Sequence, residues 1–273
     1  MKKVLALTGA IIIIVSLCSC SLKPSYKGGG SQENNGVDFD SSFEKYEKDF
    51  SLPDGETVAR LEVTYPVIKC EESRIVEQQI NNWFKMYLRE EEDIIETNLQ
   101  HTDDYKEKYD IDGVTVTIIN CEEYDRSPTA VSYLITKKTG INPDNETGTT
   151  IGRSFSLANG KQLRLSDLYA PGAEEPEKAV RQAIHDEADI SYSIRGGIPL
   201  SEEQHEILDG LFDENDFCLS SSDDIVFPYS FDILSKGARQ GTYLCAFNIY
   251  SVYDAIITPD DYYQSIVNPV VDV

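Results

Sequence analysis

The chain is predicted to be an α+β protein, with antiparallel sheet packed against a long helix and two shorter helices. Three observations predict this. Strand-like and helix-like segments come in blocks rather than alternating singly, which suits segregated layers and not repeated βαβ units. The apolar spacing changes near Ser73 from alternation to steps of three and four. Hydrophobic residues make up 40% of the 273 residues and aromatics 10%, enough to bury a core.

The elements follow in order. Val58 to Ile68 is β-branched and partly alternating, and reads as a strand whose Pro66 favours an edge or a bulge. From Ser73, the residues Ile75, Val76, Ile80, Trp83, Phe84, Tyr87 and Leu88 stack on one helical face. That aromatic stripe is read as core, and Ile94, Ile95 and Leu99 extend the helix beyond the acidic run Glu90 to Asp93. Strands return at Gly113 to Cys121 and Ala130 to Lys137, with turn residues on either side. Thr149 to Leu157 and Gln162 to Leu165 read as two strands joined at Asn159-Gly160, a two-residue hairpin signal. Two helices come next, Glu175 to about Tyr192 and Ser201 to about Phe212. The second opens with Ser201 three residues ahead of Gln204, a capping box. Phe217 to Leu219, Ile225 to Phe231 and Thr242 to Ile249 close the series as strands.

The charge balance is lopsided. Lys and Arg number 24 against 48 Asp and Glu, a net charge of −24. Sequence-independent nucleic-acid binding is excluded on this ground, because it depends on Lys and Arg neutralising phosphates. Cationic partners fit, although any one acidic run reads first as a solvated surface.

The N-terminus carries its own chemistry. Lys2 and Lys3 precede an apolar stretch from Val4 to Leu17, too short for a comfortable span and right for a secretory signal. It ends in Leu17-Cys18-Ser19-Cys20, a lipobox: the Cys20 sulfur accepts a lipid and the chain is cut after the small Ser19. Residues 1–19 are therefore expected to be a lipoprotein signal peptide, with Cys20 as the membrane anchor. Their removal takes away Lys2 and Lys3 and moves the net charge to −26. Only three residues precede the apolar core, so no cytoplasmic domain is expected. Residues 20–42, with Gly28-Gly29-Gly30-Ser31, read as a flexible tether. The folded body is expected over 43–150 and 151–273, two halves packing as one.

Enzyme signatures do not emerge. There is no His-Glu-x-x-His, no Gly-x-Ser-x-Gly and no phosphate-binding glycine loop. Glu202-x-x-His205 is half of a di-iron helix motif without its second copy. No cofactor, metal or catalytic residue is expected. Cys70, Cys121, Cys218 and Cys245 remain after lipidation, and an even count in an exported protein permits two disulfides. Cys70–Cys121 with Cys218–Cys245 is the favoured pairing; four buried thiols is the other reading.

Several scattered segments resemble a known family. They are Tyr65-Pro66-Val67-Ile68, Ile80-Asn81, Phe155-Ser156-Leu157-Ala158-Asn159-Gly160-Lys161, Leu163-x-Leu165-Ser166-Asp167-Leu168-Tyr169, and Ile225-Val226-Phe227-Pro228-Tyr229 with Gly237 beyond. Together they are similar to the extracytoplasmic domain of the anti-sigma-V factor, a lysozyme receptor. The same domain type is the non-catalytic module of some peptidoglycan deacetylases. After Tyr229 the chain departs from the family pattern, with Ser230, Ile233 and Leu234 where Glu and Pro-Tyr are common.

The resemblance implies a binding or sensing module, and with the lipobox it is expected to be a membrane-anchored extracytoplasmic lipoprotein of a Gram-positive-type envelope. Its ligand would be lysozyme, another cationic protein or a cell-wall component. Phe227, Pro228 and Tyr229, with Asp223 and Asp224, are the expected contacts, the plainer reading being that Phe227 and Tyr229 are core-strand residues. A peptidoglycan-modifying envelope enzyme, an accessory module of one, and a purely structural envelope protein are the alternatives.

Overall fold

The computed structural model describes residues 37–52, 55–99, 113–141, 148–194, 199–230 and 242–269. The expected signal peptide, Cys20, most of the expected tether, and Ile233, Leu234 and Gly237 lie outside them. The architecture is α+β. Strands β1 (Asp40–Ser51), β2 (Thr57–Lys69), β3 (Thr115–Arg126), β4 (Ala130–Gly140) and β5 (Thr149–Ser156) form one sheet in sequence order. Strands β6 (Cys218–Leu219), β7 (Asp224–Ser230) and β8 (Thr242–Asn248) form a second. The helices are α1 (Arg74–Leu99), α2 (Pro176–Ile194), α3 (Glu202–Leu211) and α4 (Pro259–Val267). Among the described residues no helix is long and apolar enough to cross a membrane.

Side-chain alternation along the strands layers these parts. Val131, Tyr133 and Ile135 of β4 point into a core with Val76, Ile80 and Phe84 of α1. Leu134, on the opposite face, meets Cys218 and Val226 of the small sheet. The other face of the small sheet, through Ile225, Phe227, Cys245 and Phe247, packs on Val180, Ile184 and Ala188 of α2 and Leu208 of α3. Because β4 is covered on both sides, residues 130–135 are buried without a break. Phe39, ahead of β1, and Tyr263, in α4, share the α1-side core, so the two ends of the folded body meet there.

Several features depart from the expected elements. Structure starts before Phe43, since Phe39 is buried and β1 begins at Asp40. The β2–β3 pair is parallel, from Ala59–Thr115 to Thr64–Asn120. The long connection through α1 brings the chain back in the same direction, making one βαβ unit within an otherwise antiparallel sheet. Beyond Thr64 the β2 edge facing β3 is unpaired by strand, which explains how Pro66 is tolerated there. The Asn81 side chain takes over as partner: its amide donates to Ile68 O (2.8 Å) and its oxygen accepts from Ile68 N (2.9 Å).

The Asn159-Gly160 connection is not a two-residue hairpin. Gly160 N donates to Ser156 O (2.8 Å), and only Gln162 bridges back to Phe155 before the chain enters the 3-10 turn Leu165–Leu168. Gly160 has φ +71°, and a Cβ there would stand 2.8 Å from Val76 O of α1. The close approach to the helix backbone, together with the left-handed φ, requires glycine.

Helix α3 does open with the capping box, Gln204 N on Ser201 Oγ (3.4 Å) and Ser201 N on Gln204 Oε1 (3.0 Å). Helix α4 was not anticipated, although Thr258 caps it through Asp261 N (3.1 Å) and Pro259 occupies its first turn.

Candidate functional site

The residues expected to touch a ligand are mostly core. Phe227 is 1% exposed and Tyr229 5%, both facing α2 and α3, and Pro228 between them is buried too. Burial holds the Tyr229 phenol above its usual range. Phe227 stacks between Tyr229 and Phe247 at ring separations of 6.1 and 6.3 Å. The strand signature is therefore structural. Its period-two alternation, Ile225, Phe227, Tyr229, marks the buried face.

Asp223 and Asp224 lie at the β6–β7 turn, closed by Ser220 N on Asp224 O (2.9 Å). Asp223 has φ +60°, the left-handed conformation that Asp tolerates better than most residues. Asp224 is engaged internally, accepting from Ser222 Oγ (3.1 Å) and Asn248 Nδ2 (3.0 Å). Half-burial and the neighbouring Asp260 raise the Asp223 carboxyl above its ordinary value. Neither aspartate extends a surface from Phe227.

The disulfide pairing is corrected. All four cysteines are buried thiols without a disulfide. Cys218 faces the first sheet with Val226, whereas Cys245 faces α2 opposite Phe227. Alternation thus puts the two sulfurs on opposite sides of the small sheet. Cys121 lies one residue past the Thr64–Asn120 pair and Cys70 six past it. At about 3.3 Å per residue that offset is far beyond the reach of a disulfide. Cys218 Sγ instead donates to Tyr133 O (3.4 Å), and burial pushes its thiol up to about 12.

His205 is paired with an aspartate of α2. Its Nε2 meets Asp189 Oδ1 at 3.0 Å, while the neighbouring His185 meets Asp209 Oδ1 at 3.1 Å, and the two rings lie 4.4 Å apart between α2 and α3. Among the described residues no group of three or more His, Cys, Asp or Glu is placed to hold a metal ion.

Between the sheets the polar groups serve the fold. Ser132 and Ser154, buried cross-strand partners, hold each other at 2.9 Å. Leu219 N of β6 donates to both (2.8 and 3.1 Å), and Phe217 O accepts from Ser154 Oγ (3.1 Å). The two-residue β6 thereby satisfies an edge that, among the described residues, has no strand beside it. Asp216 accepts from Gly152 N nearby; burial pushes its carboxyl up to about 6, against the pull of that N–H and of Arg153.

What sequence reasoning missed is a groove of about 600 Å³ between α2, the end of β8 and the turn that follows. Ala179, Ala183 and Phe247 line it, and Asp186, Glu187 and Asp254 stand among them. Among the described residues no Lys or Arg contributes to its lining. Ile190 and Tyr253, 53% and 68% exposed, are also lining residues. The volume is that of a ligand site. Its walls come from segments some 60 residues apart, and no local pattern announces it.

Neither a protein-family model nor a curated protein matches the chain. Solved structures do resemble it. A member of the DUF3298 family from Bacteroides fragilis NCTC 9343 superposes with a TM-score of 0.56 at 15% identity, over 84% of this chain and 98% of that one. A DUF3298 family protein from Pseudomonas aeruginosa PAO1 gives 0.51 at 10% identity, over 82% and 96%. The fold described above is therefore similar to that of DUF3298 proteins, a family of domains of unknown function.

Proposed function

We propose that the chain is a lipid-anchored, non-enzymatic binding module on the extracytoplasmic face of a bacterial membrane, and that its ligand is a cationic protein. The net charge, −24 for the whole sequence and −26 once Lys2 and Lys3 are removed, carries this reading. Such a field concentrates basic partners at the surface and raises their association rate. The lipobox ending in Cys20 supplies the anchor, and the resemblance to the anti-sigma-V extracytoplasmic domain makes lysozyme the first ligand to try.

The test is calorimetric titration of the protein with lysozyme at low and moderate salt. Association that weakens as salt rises is expected; no heat at either salt concentration removes lysozyme as the ligand. Fractionation of a Cys20→Ala strain checks the anchor, the expected result being loss of the lipid mass and release from the membrane. Unchanged retention and mass would refute it.

A further inference from the structure

The hydrogen-bond phase of the β7–β8 ladder shows what borders the groove. Ile249 N donates to Asp223 O (2.8 Å), so in this antiparallel pair Ile225–Phe247 and Phe227–Cys245 are the hydrogen-bonded rungs. The main-chain groups of Leu244, Ala246 and Asn248 then point away from β7. Ser251 Oγ donates to Asn248 O (2.7 Å). Among the described residues no strand pairs with β8 on that side, and Ala246 and Asn248 line the groove beside Phe247. The groove takes in the last three residues of β8, Ala246, Phe247 and Asn248, and so meets both the Phe247 face and the outer edge at that end of the strand, since one face of a strand offers only alternate residues.

From this we infer that the groove receives an extended basic segment of a partner protein, which adds to β8 as a further strand. This rests on the binding-module reading above and specifies its site and ligand chemistry. Main-chain hydrogen bonds to Ala246 would hold such a segment. Its apolar side chains would enter the hollow over Ala183 and Phe247, and its lysines or arginines would meet Asp186, Glu187 and Asp254. Charge selects this occupant over a second copy, because two chains of −24 each bring like charge to the contact.

The test uses the full-length chain in detergent and a synthetic octapeptide alternating valine and lysine, with the same peptide N-methylated on alternate backbone amides as the control. The expected result is saturable binding of the first peptide and at least tenfold weaker binding of the second. Ala183→Phe, which fills the hollow, and the double variant Asp186→Asn/Asp254→Asn should each weaken the first peptide about tenfold or more, with unchanged circular dichroism and melting temperature. Equal binding of the two peptides, or no loss in Ala183→Phe, would overturn the groove as the site. So would a concentration-dependent dimer abolished by Ala183→Phe, which gives the edge to a second copy. Lysozyme titrated in parallel separates the two ideas. Lysozyme heat without peptide binding sinks the groove alone, whereas silence from both sinks the cationic-ligand reading with it.

Discussion

On the α1 side four rings lock together: Trp83 lies 5.0 Å from Phe84 and 5.3 Å from Phe155, and Phe84 lies 5.2 Å from Tyr133, all edge-on. On the α2 side the small sheet meets Val180, Ile184 and Ala188, and α3 is tied on by two histidine–aspartate contacts and by Arg181 lying 4.0 Å over Phe212. Large rings fill the first layer. Ala179 and Ala183 leave a hollow in the second. The comparison separates a region built for rigidity from one able to accept a guest, since binding surfaces come from the less densely packed parts of a fold.

Substitutions sharpen that contrast. Phe84→Ala, at a site 1% exposed amid three other rings, should cost about 3–5 kcal/mol, measured by denaturant unfolding. Ile190→Ala at the groove should change stability by under about 0.5 kcal/mol. Similar losses at the two sites would erase the distinction.

Asp216 supplies a pH signature for the contact between the sheets. Its carboxyl is raised to about 6 in the folded protein, so the native state holds this proton more tightly than the unfolded chain, whose aspartates titrate near 4. The contribution is fully present below about pH 4 and is lost as pH rises through about 6, up to about 3 kcal/mol in all. Asp216→Asn should remove this slope, so unfolding curves from pH 4 to 7 should show the variant gaining on wild type as pH increases. Parallel curves would show that Asp216 is not buried as described.

Gly160→Ala comes next, at about 2 kcal/mol, from a left-handed residue whose new methyl would press on the α1 backbone. A wild-type melting temperature would mean that the turn does not touch α1. Ser154→Ala should cost about 1–2 kcal/mol, because Phe217 O loses its donor while Leu219 N keeps Ser132. Hydrogen exchange at Leu219 should quicken with it.

How far the sequence revealed these features depended on whether the cause was local. The α1 stripe through Val76, Ile80 and Phe84 and the Ser201 cap were legible because spacing and capping act within a few residues, although Ile75, expected on that face, and Ile94, expected to extend it, are 64% and 48% exposed. Strand β1 was not: Phe43, Tyr46 and Phe50 are spaced by three and four, and the strand is held by distant partners, with Tyr46 and Lys48 bonded to Glu92 of α1 (both 2.6 Å). The block from Phe155 to Tyr169 was recognised as a signature, and the structure gives it a structural meaning. Phe155 and Leu157 enter the core under α1, while Leu163, Leu165 and Leu168 enter the one beneath α2. Placing contacts at Phe227 and Tyr229 failed because resemblance marked the segment, while alternation showed which way it faces. The start of α4 is equally local, with Thr258 as its cap and Pro259 in its first turn.

A shared core for Phe39 and Tyr263, with β4 sandwiched between them in sequence, governs how this unit is inherited and handled. A fragment ending near residue 150 leaves Ala130 and Leu134 without the layer that shields them, and one beginning there gives β5 no neighbour to join. Neither piece is expected to survive expression alone. Gene fusions and duplications that carry this fold intact must move the whole stretch from Phe39 to Tyr263 at once.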